Sequence, residues 1–202
     1  VFLGYMKSLS VILIFVFTLI AISSFINKTE KTIAISKISL GKKLFSEKML
    51  SLDSSISCAS CHKPQFAFAD TLAFSIGIYG KETARNVPSV LNMKNRPLFF
   101  WDGRASSLEA QALLPIANPD EMGLPVKEAV KRLNESKEYK NLFLLVFKQN
   151  PTAENLSAAL ADFEQTLETV DSKFDDWSNG KGKLSGSEER GRQLFIGRKA
   201  KC

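Results

Sequence analysis

Apolar and polar positions follow one another along most of the chain at the three- and four-residue spacing of helices, and no stretch alternates strictly enough to be a half-buried strand. The clearest pattern starts at Thr152, which reads as a cap, and sets Leu156, Phe163, Leu167, Val170, Phe174 and Trp177 along one face. That stripe reads as core packing. A further helix is expected over Val126–Leu133, and Tyr139–Phe147 continues the helical pattern until Pro151 interrupts it. Asn179-Gly180-Lys181-Gly182-Lys183 reads as a flexible linker, after which Ser185 and Glu188, at capping-box spacing, open a helix that carries Leu194 and Phe195. From Lys63 to Met122, prolines, glycines and asparagines break regular structure, the mark of a long ordered loop with a functional role. The expected fold class is all-α.

One stretch departs from the amphipathic pattern. After Lys7 comes a nearly unbroken apolar run from Leu9 to Ile22, followed by Ser23-Ser24-Phe25-Ile26, which is the layout of an export signal. With Met6 as the start, Met6-Lys7 forms a short basic segment ahead of it, and Ala21-Ile22-Ser23 is a small-x-small cleavage site. The run to Ile26 also approaches the roughly 18 to 20 residues that cross a bilayer. Residues 1–27 are therefore a cleaved signal or a retained inner-membrane anchor, and both readings place the remainder in the periplasm or otherwise outside the cytoplasm.

Composition adds little: 45% of the 202 residues are apolar and 24% charged, an ordinary globular balance. The net charge of +6 is spread without a basic block, which argues against nucleic-acid binding and leaves a mild attraction to an acidic redox partner. Near the end, Arg190-Gly191-Arg192-Gln193-Leu194-Phe195 precedes Cys202 much as Leu40-Gly41-Lys42-Lys43-Leu44-Phe45 precedes Cys58. This echo predicts a duplicated unit. Residues 28–178 are expected to form the first domain with a helical extension, and 179–202 the linker and the start of a second domain that is cut short.

The candidate chemistry sits in Ser57-Cys58-Ala59-Ser60-Cys61-His62, which contains the C-x-x-C-H signature of c-type haem attachment. On a helical turn, positions i, i+3 and i+4 share a face, so two thiols meet the haem vinyl groups while His62 points at the iron as axial ligand. Three other readings compete. A disulfide or a thioredoxin-like pair leaves the histidine unexplained, and a zinc site of Cys58, Cys61, His62 and Cys202 requires ligands at the adjacent positions 61 and 62, which strain a tetrahedron.

Beyond this motif the chain resembles the bacterial di-haem cytochrome c peroxidases from about Ser39 onward. The matching segments are Leu40-Gly41-Lys42-Lys43-Leu44-Phe45, Arg85-Asn86-Val87-Pro88-Ser89-Val90-Leu91-Asn92, Phe100-Trp101-Asp102-Gly103-Arg104-Ala105, Leu108-Glu109-Ala110-Gln111-Ala112 and Asn118-Pro119-Asp120-Glu121-Met122-Gly123. The resemblance implies two cytochrome c-like helical domains, each with one haem c. The N-terminal haem would be peroxidatic, and the C-terminal one, begun at Cys202, would take electrons from a cytochrome c or a small copper protein. It implies reduction of hydrogen peroxide to water, and it admits a homodimer.

The same resemblance assigns Glu121 as the distal acid/base, Gln111 as its neighbour, Trp101 as the residue coupling the two haems, and Asn86 as a contributor to a calcium site. Taken singly, Glu121 reads as a cap or surface carboxylate and Trp101 as a buried loop aromatic. Asp102 and Arg104 read as a pair holding their own turn. The family's histidine after Ser-Ile-Gly is absent, since Ser75-Ile76-Gly77 is followed by Ile78 and His62 is the only histidine. The distal side of the first haem is thus expected to rest open or weakly held, with Tyr79 as a candidate phenolate ligand. The alternatives to a peroxidase are a relative that oxidises a protein or organic substrate, as the methylamine-utilisation branch does, and an electron carrier with both axial positions filled.

Overall fold

The computed structural model describes residues 37–200, so the apolar run of residues 1–27 and Cys202 lie outside the described residues. The fold is all-α. Its helices are α1 (37–45), α2 (Cys58–Cys61), α3 (Leu108–Ala117), α4 (Val126–Glu135), α5 (Lys137–Phe147), α6 (Ala153–Glu164), α7 (Lys173–Ser178) and α8 (Gly186–Ile196). Among the described residues β pairing is limited to three isolated bridges, and no helix is long and apolar enough to cross a membrane. Two compact units divide between Thr166 and Leu167.

Caps fix several helix starts. Thr152 opens α6 by accepting from the Asn155 amide at 3.2 Å, while Asn155 Oδ1 accepts from the Thr152 amide at 2.7 Å. Ser185 and Glu188 form the expected reciprocal box at α8. The α6 stripe, however, stops at Glu164 and does not run on to Trp177. Thr166 explains the stop: its hydroxyl donates to the Phe163 carbonyl at 2.7 Å, and side-chain bonding of this kind competes with the helix ladder. Asp171 then takes a left-handed conformation and Ser172 caps a new helix, α7, on which Phe174 and Trp177 sit with ring centroids 5.3 Å apart.

A second departure lies in the segment expected as loop, which contains α3. Pro115 masks this helix in the sequence. It removes one donor late in α3, and the end is secured instead by the Met122 amide on the Pro115 carbonyl (3.1 Å) and the Leu124 amide on the Ile116 carbonyl (2.7 Å). The Gly-rich stretch after α7 also forms a definite turn, with the Lys181 and Gly182 amides both donating to the Asp176 carbonyl.

In the first unit, α3 and α6 pack along each other, and Leu44, Ile116, Leu133, Phe143, Leu156 and Leu160 are fully buried. Arg132 of α4 ties down residues 49–52 by donating to the carbonyls of Met49, Ser51 and Leu52 at 2.8–3.0 Å. The backbones of α1 and α6 approach closely at Gly41. A Cβ on Gly41 would sit 1.8 Å from the Ala159 carbonyl oxygen and 2.8 Å from Phe163 Cβ, whereas one on Gly191, the matching glycine of the echo, would have nothing within 4 Å among the described residues.

This contrast gives opposite signs to the same substitution. Replacing a helical glycine by alanine ordinarily stabilises by up to about 1 kcal/mol, which is the expectation for Gly191→Ala. Gly41→Ala should instead destabilise by about 1–3 kcal/mol, the usual cost of overpacking a core. Denaturant midpoints of the two variants check this, and a Gly41→Ala protein as stable as the parent would show that α1 can withdraw from α6 at no cost.

Candidate haem site

The C-x-x-C-H residues fold as a single turn. Ser60 Oγ accepts from the Ser57 amide at 2.9 Å, and the His62 amide closes the turn on the Cys58 carbonyl at 2.9 Å. The chain then doubles back: the Lys63 amide donates to the Ala69 carbonyl and the Phe68 amide to the Lys63 carbonyl, each at 2.9 Å. Ala67 and Phe68 both adopt positive φ in this turn, and the Phe68 carbonyl lies 2.9 Å from His62 Nδ1. A carbonyl only accepts, so Nδ1 carries the proton. A backbone acceptor on Nδ1 is the arrangement that orients a metal-binding imidazole through its other nitrogen.

The surroundings keep this group neutral. Burial pushes the His62 ring below the usual histidine range, against the opposing pull of the Phe68 carbonyl. Phe45 lies beside the ring at 6.0 Å between centroids and in turn meets Phe163 edge-on at 5.3 Å. Burial likewise pushes the Cys58 thiol up to about 12, with the Glu164 carboxylate adding to the effect, and burial and Asp70 raise the Cys61 thiol.

These directions bear on the thiol reading of the cysteines. Both thiols are free. A redox-active pair needs a lowered thiol pKa, and these two are raised. Zinc needs convergent ligands; among the described residues no group of three or more His, Cys, Asp or Glu side chains is placed to hold a metal ion, and the fourth ligand of the zinc reading, Cys202, lies outside them.

The turn opens on a cavity of about 950 Å³ inside the first unit, at the upper end of the range for small-molecule sites. Cys58, Cys61 and His62 line one side of it together with apolar side chains such as Phe45, Val90, Met93, Phe99 and Leu160. The donor set and the space fit a c-type haem: two neutral thiols for the vinyl groups, an imidazole lining the same space, and apolar neighbours.

Glu121 and Gln111 line the same cavity. Gln111 projects from α3. Glu121 comes from the turn after it, where its amide and that of Gly123 both donate to the Asn118 carbonyl and the Ile78 amide donates to the Glu121 carbonyl. Gly77 presses on this turn so closely that a Cβ there would lie 2.0 Å from the Asp120 carbonyl oxygen. Burial raises the Glu121 carboxyl above the ordinary range, although Asn118 Nδ2 donates to it at 2.8 Å and opposes the shift.

Trp101 is not a buried aromatic. It is 65% exposed, borders the cavity, and its indole nitrogen donates to the Asn86 carbonyl at 2.9 Å. The Asn86 amide nitrogen donates to the Leu72 carbonyl at 2.7 Å. Asp102 holds its own turn, pairing with Arg104 at 2.9 Å and Arg85 at 3.0 Å, and the Arg104 guanidinium lies 3.6 Å over the Phe100 ring. Cys202 falls outside the described residues.

Two residues sit differently from their sequence reading. Ile78 is 2% exposed and packs against Gly123, so it is a core residue and not part of the cavity lining. Tyr79 does not line the cavity either; its positive φ turns it outward, where it is 67% exposed. Sequence reasoning also passed over Glu164, a cavity-lining carboxylate only 5% exposed. Its signal was present, because Leu156, Leu160 and Glu164 recur every fourth residue and so share a core-facing stripe.

Known proteins match this chain over the same region. The sequence pattern of the di-haem cytochrome c peroxidases covers residues 35–183. The methylamine utilization protein MauG of Methylorubrum extorquens is 41% identical over 82% of this chain and 48% of its own length. The cytochrome c peroxidase Ccp of Escherichia coli is 40% identical over 79% of this chain and 35% of its own. Among solved structures, a MauG-like protein associated with microbial copper homeostasis superposes with a TM-score of 0.73 at 32% identity, covering 83% of this chain and 50% of that one. The chain thus spans about half the length, or less, of these relatives. With the matched region running through the haem-attachment turn, the cavity and the Glu121 turn, the chain belongs to the di-haem cytochrome c peroxidase family, and its all-α fold is cytochrome c-like.

Proposed function

We propose that the complete protein reduces hydrogen peroxide to water, and that the residues described here form its peroxide-binding half. The observation that carries this reading is the placement of Glu121 and Gln111 in the cavity that His62 also lines. Cys58, Cys61 and His62 would hold a haem c, which would supply redox-active iron chemistry at this cavity. Reduction of one peroxide consumes two electrons and two protons and yields two waters. Glu121 takes the proton from one peroxide oxygen and delivers it to the oxygen that leaves as water, a shuttle suited to a carboxyl whose burial brings its pKa towards neutrality. Gln111 orients the peroxide by hydrogen bonding.

Electrons come from a cytochrome c or a small copper protein, through a second haem in the domain that begins after residue 178 and includes Cys202. The exposed, cavity-edge position of Trp101 suits a relay for them. Asn86 has its amide nitrogen engaged, which leaves its oxygen as a hard donor for calcium. The apolar run of residues 9–26 exports the chain to the periplasm, where c-type haem is attached. Ile78, buried where the family's displaceable histidine is expected, leaves the distal position without that ligand.

A second reading has its own support. The relatives include methylamine utilization proteins named MauG at 41% and 34% identity, which favours a di-haem enzyme that draws electrons from a protein or organic substrate with the same machinery.

Two outcomes test the proposal. After denaturing electrophoresis the exported protein should stain for haem, and Cys58→Ala/Cys61→Ala should not; a parent band without stain removes haem from the site. In the complete protein Glu121→Gln should slow peroxide turnover by about 10² or more with the haem spectrum nearly unchanged, since general acid/base groups contribute that much. Near-native turnover in this variant would take Glu121 out of the mechanism, and slow turnover in the parent beside fast oxidation of an organic or protein substrate would favour the second reading.

A further inference from the structure

The chemistry proposed above leaves Glu164 unused. It closes α6, is 5% exposed, and its Oε2 is out of solvent with no hydrogen-bond partner. An unpartnered carboxylate oxygen in a cavity wall is costly, since burial without a compensating bond penalises the group. Its position on the Leu156-Leu160-Glu164 stripe turns it to the cavity alongside Leu160 and on the side of α2, where its charge acts on the Cys58 thiol.

We propose that Glu164 is the redox-linked proton acceptor of the haem held by Cys58, Cys61 and His62, binding one proton from solvent when this haem accepts one electron and releasing it on reoxidation. The proposal rests on haem occupying this cavity, as proposed above. The step balances: a ferric haem, one electron from a reduced donor protein, one carboxylate and one proton give a ferrous haem and one carboxylic acid. A ferric porphyrin carries a net positive charge that a ferrous one lacks. In a cavity of low dielectric that charge holds a nearby carboxyl ionised, and its loss on reduction returns the carboxyl to what burial alone dictates.

Burial alone pushes Glu164 up to about 8, so the coupled range lies on the acid side of that value. The other charges around it are engaged or directed elsewhere, except Arg96, a cation that lines the same cavity. From α2 it faces Cys58 and Cys61, both held as neutral thiols. Lys37 of α1 and Glu109 of α3 act on Asp162, nearly opposite on the helix. On α4, Arg132 is spent on three carbonyls and Lys131 pairs with Glu128 and Glu135. Across the cavity stand His62, held neutral, Asp102 paired with Arg85 and Arg104, Asp120 paired with Lys81, Arg96, and Glu121, which already accepts from Asn118.

The test uses the complete protein, first shown to carry haem by staining, so that absent haem and absent coupling give different results. A spectroelectrochemical titration follows the transition of this haem from about pH 5 to about pH 9, a range spanning the usual carboxyl and histidine values. The potential should fall as pH rises, by up to about 59 mV for each tenfold drop in proton activity when one proton accompanies one electron. It should level off above about pH 8. Glu164→Gln keeps the shape and should flatten the dependence. A measurement on the unsubstituted protein stands beside it: on reduction, infrared difference spectra should gain a protonated-carboxyl band that shifts with carboxyl-labelled glutamate. A haem-loaded parent with a pH-independent potential and no such band overturns the proposal, and so does a slope that survives Glu164→Gln or disappears only in Glu121→Gln.

Discussion

The contact between Gly41 and the Ala159 carbonyl is the constraint on which the rest of the first unit depends. Because no side chain separates α1 from α6, Phe45 at the end of α1 reaches both Phe163 and the His62 ring. One surface of α6 then serves two purposes. Ala159 and Phe163 receive α1, while Leu160 and Glu164 form cavity wall. The Leu-Gly-basic-basic-Leu-Phe segment is therefore a packing device, with Leu40, Leu44 and Phe45 buried and the two lysines exposed. It sets the depth at which the haem-attachment turn sits.

On the other side of the cavity, order comes from turns rather than helices. Ala67, Phe68, Tyr79, Asn92 and Phe100 all adopt positive φ between residues 67 and 100, a concentration unusual for residues that carry a Cβ. Such conformations persist where neighbouring bonds over-determine them. Here the bonds are identifiable: Lys63 with Ala69 and Phe68, Gly77 and Ile78 with Lys81 and Glu121, Phe99 with Ala105, and Asp102 with Arg85 and Arg104. The loop is held by a few specific ties, and each ends near a residue that faces the cavity. That is how a chain with little regular structure over this span borders the same space as His62, Gln111 and Glu121.

What the sequence revealed follows from which of these forces are local. Helix starts are local, so Thr152 and Ser185 were readable from their capping partners, and α4 and α5 from periodicity. Helix ends were harder, because the stripe of apolar residues runs through Thr166 although the chain does not. The helix over Leu108–Ala117 was hidden by Pro115, whose lost hydrogen bond is offset by contacts from residues 122 and 124. At the site, the cysteine motif and the segments around Glu121 and Gln111 were legible as patterns. The positions of Ile78 and Tyr79 were not, since a single left-handed residue sends one into the core and the other to solvent.

Burial near α2 drives several ionisable groups there toward their uncharged forms. His62 is pushed to the neutral ring, Cys58 and Cys61 to thiols, and Glu121 and Glu164 toward carboxylic acids, each with desolvation as the leading cause. For Glu164 the sign follows from linkage: a folded value of about 8 against 4.5 means that its contribution to stability is complete below about pH 4.5 and is lost as pH rises through about 8. The fold therefore bears a cost in neutral to alkaline solution for keeping this carboxyl where it is. The burial that favours neutral thiols and a neutral imidazole at this turn also favours the protonated form of the Glu164 carboxyl, and these are consequences of one packing arrangement.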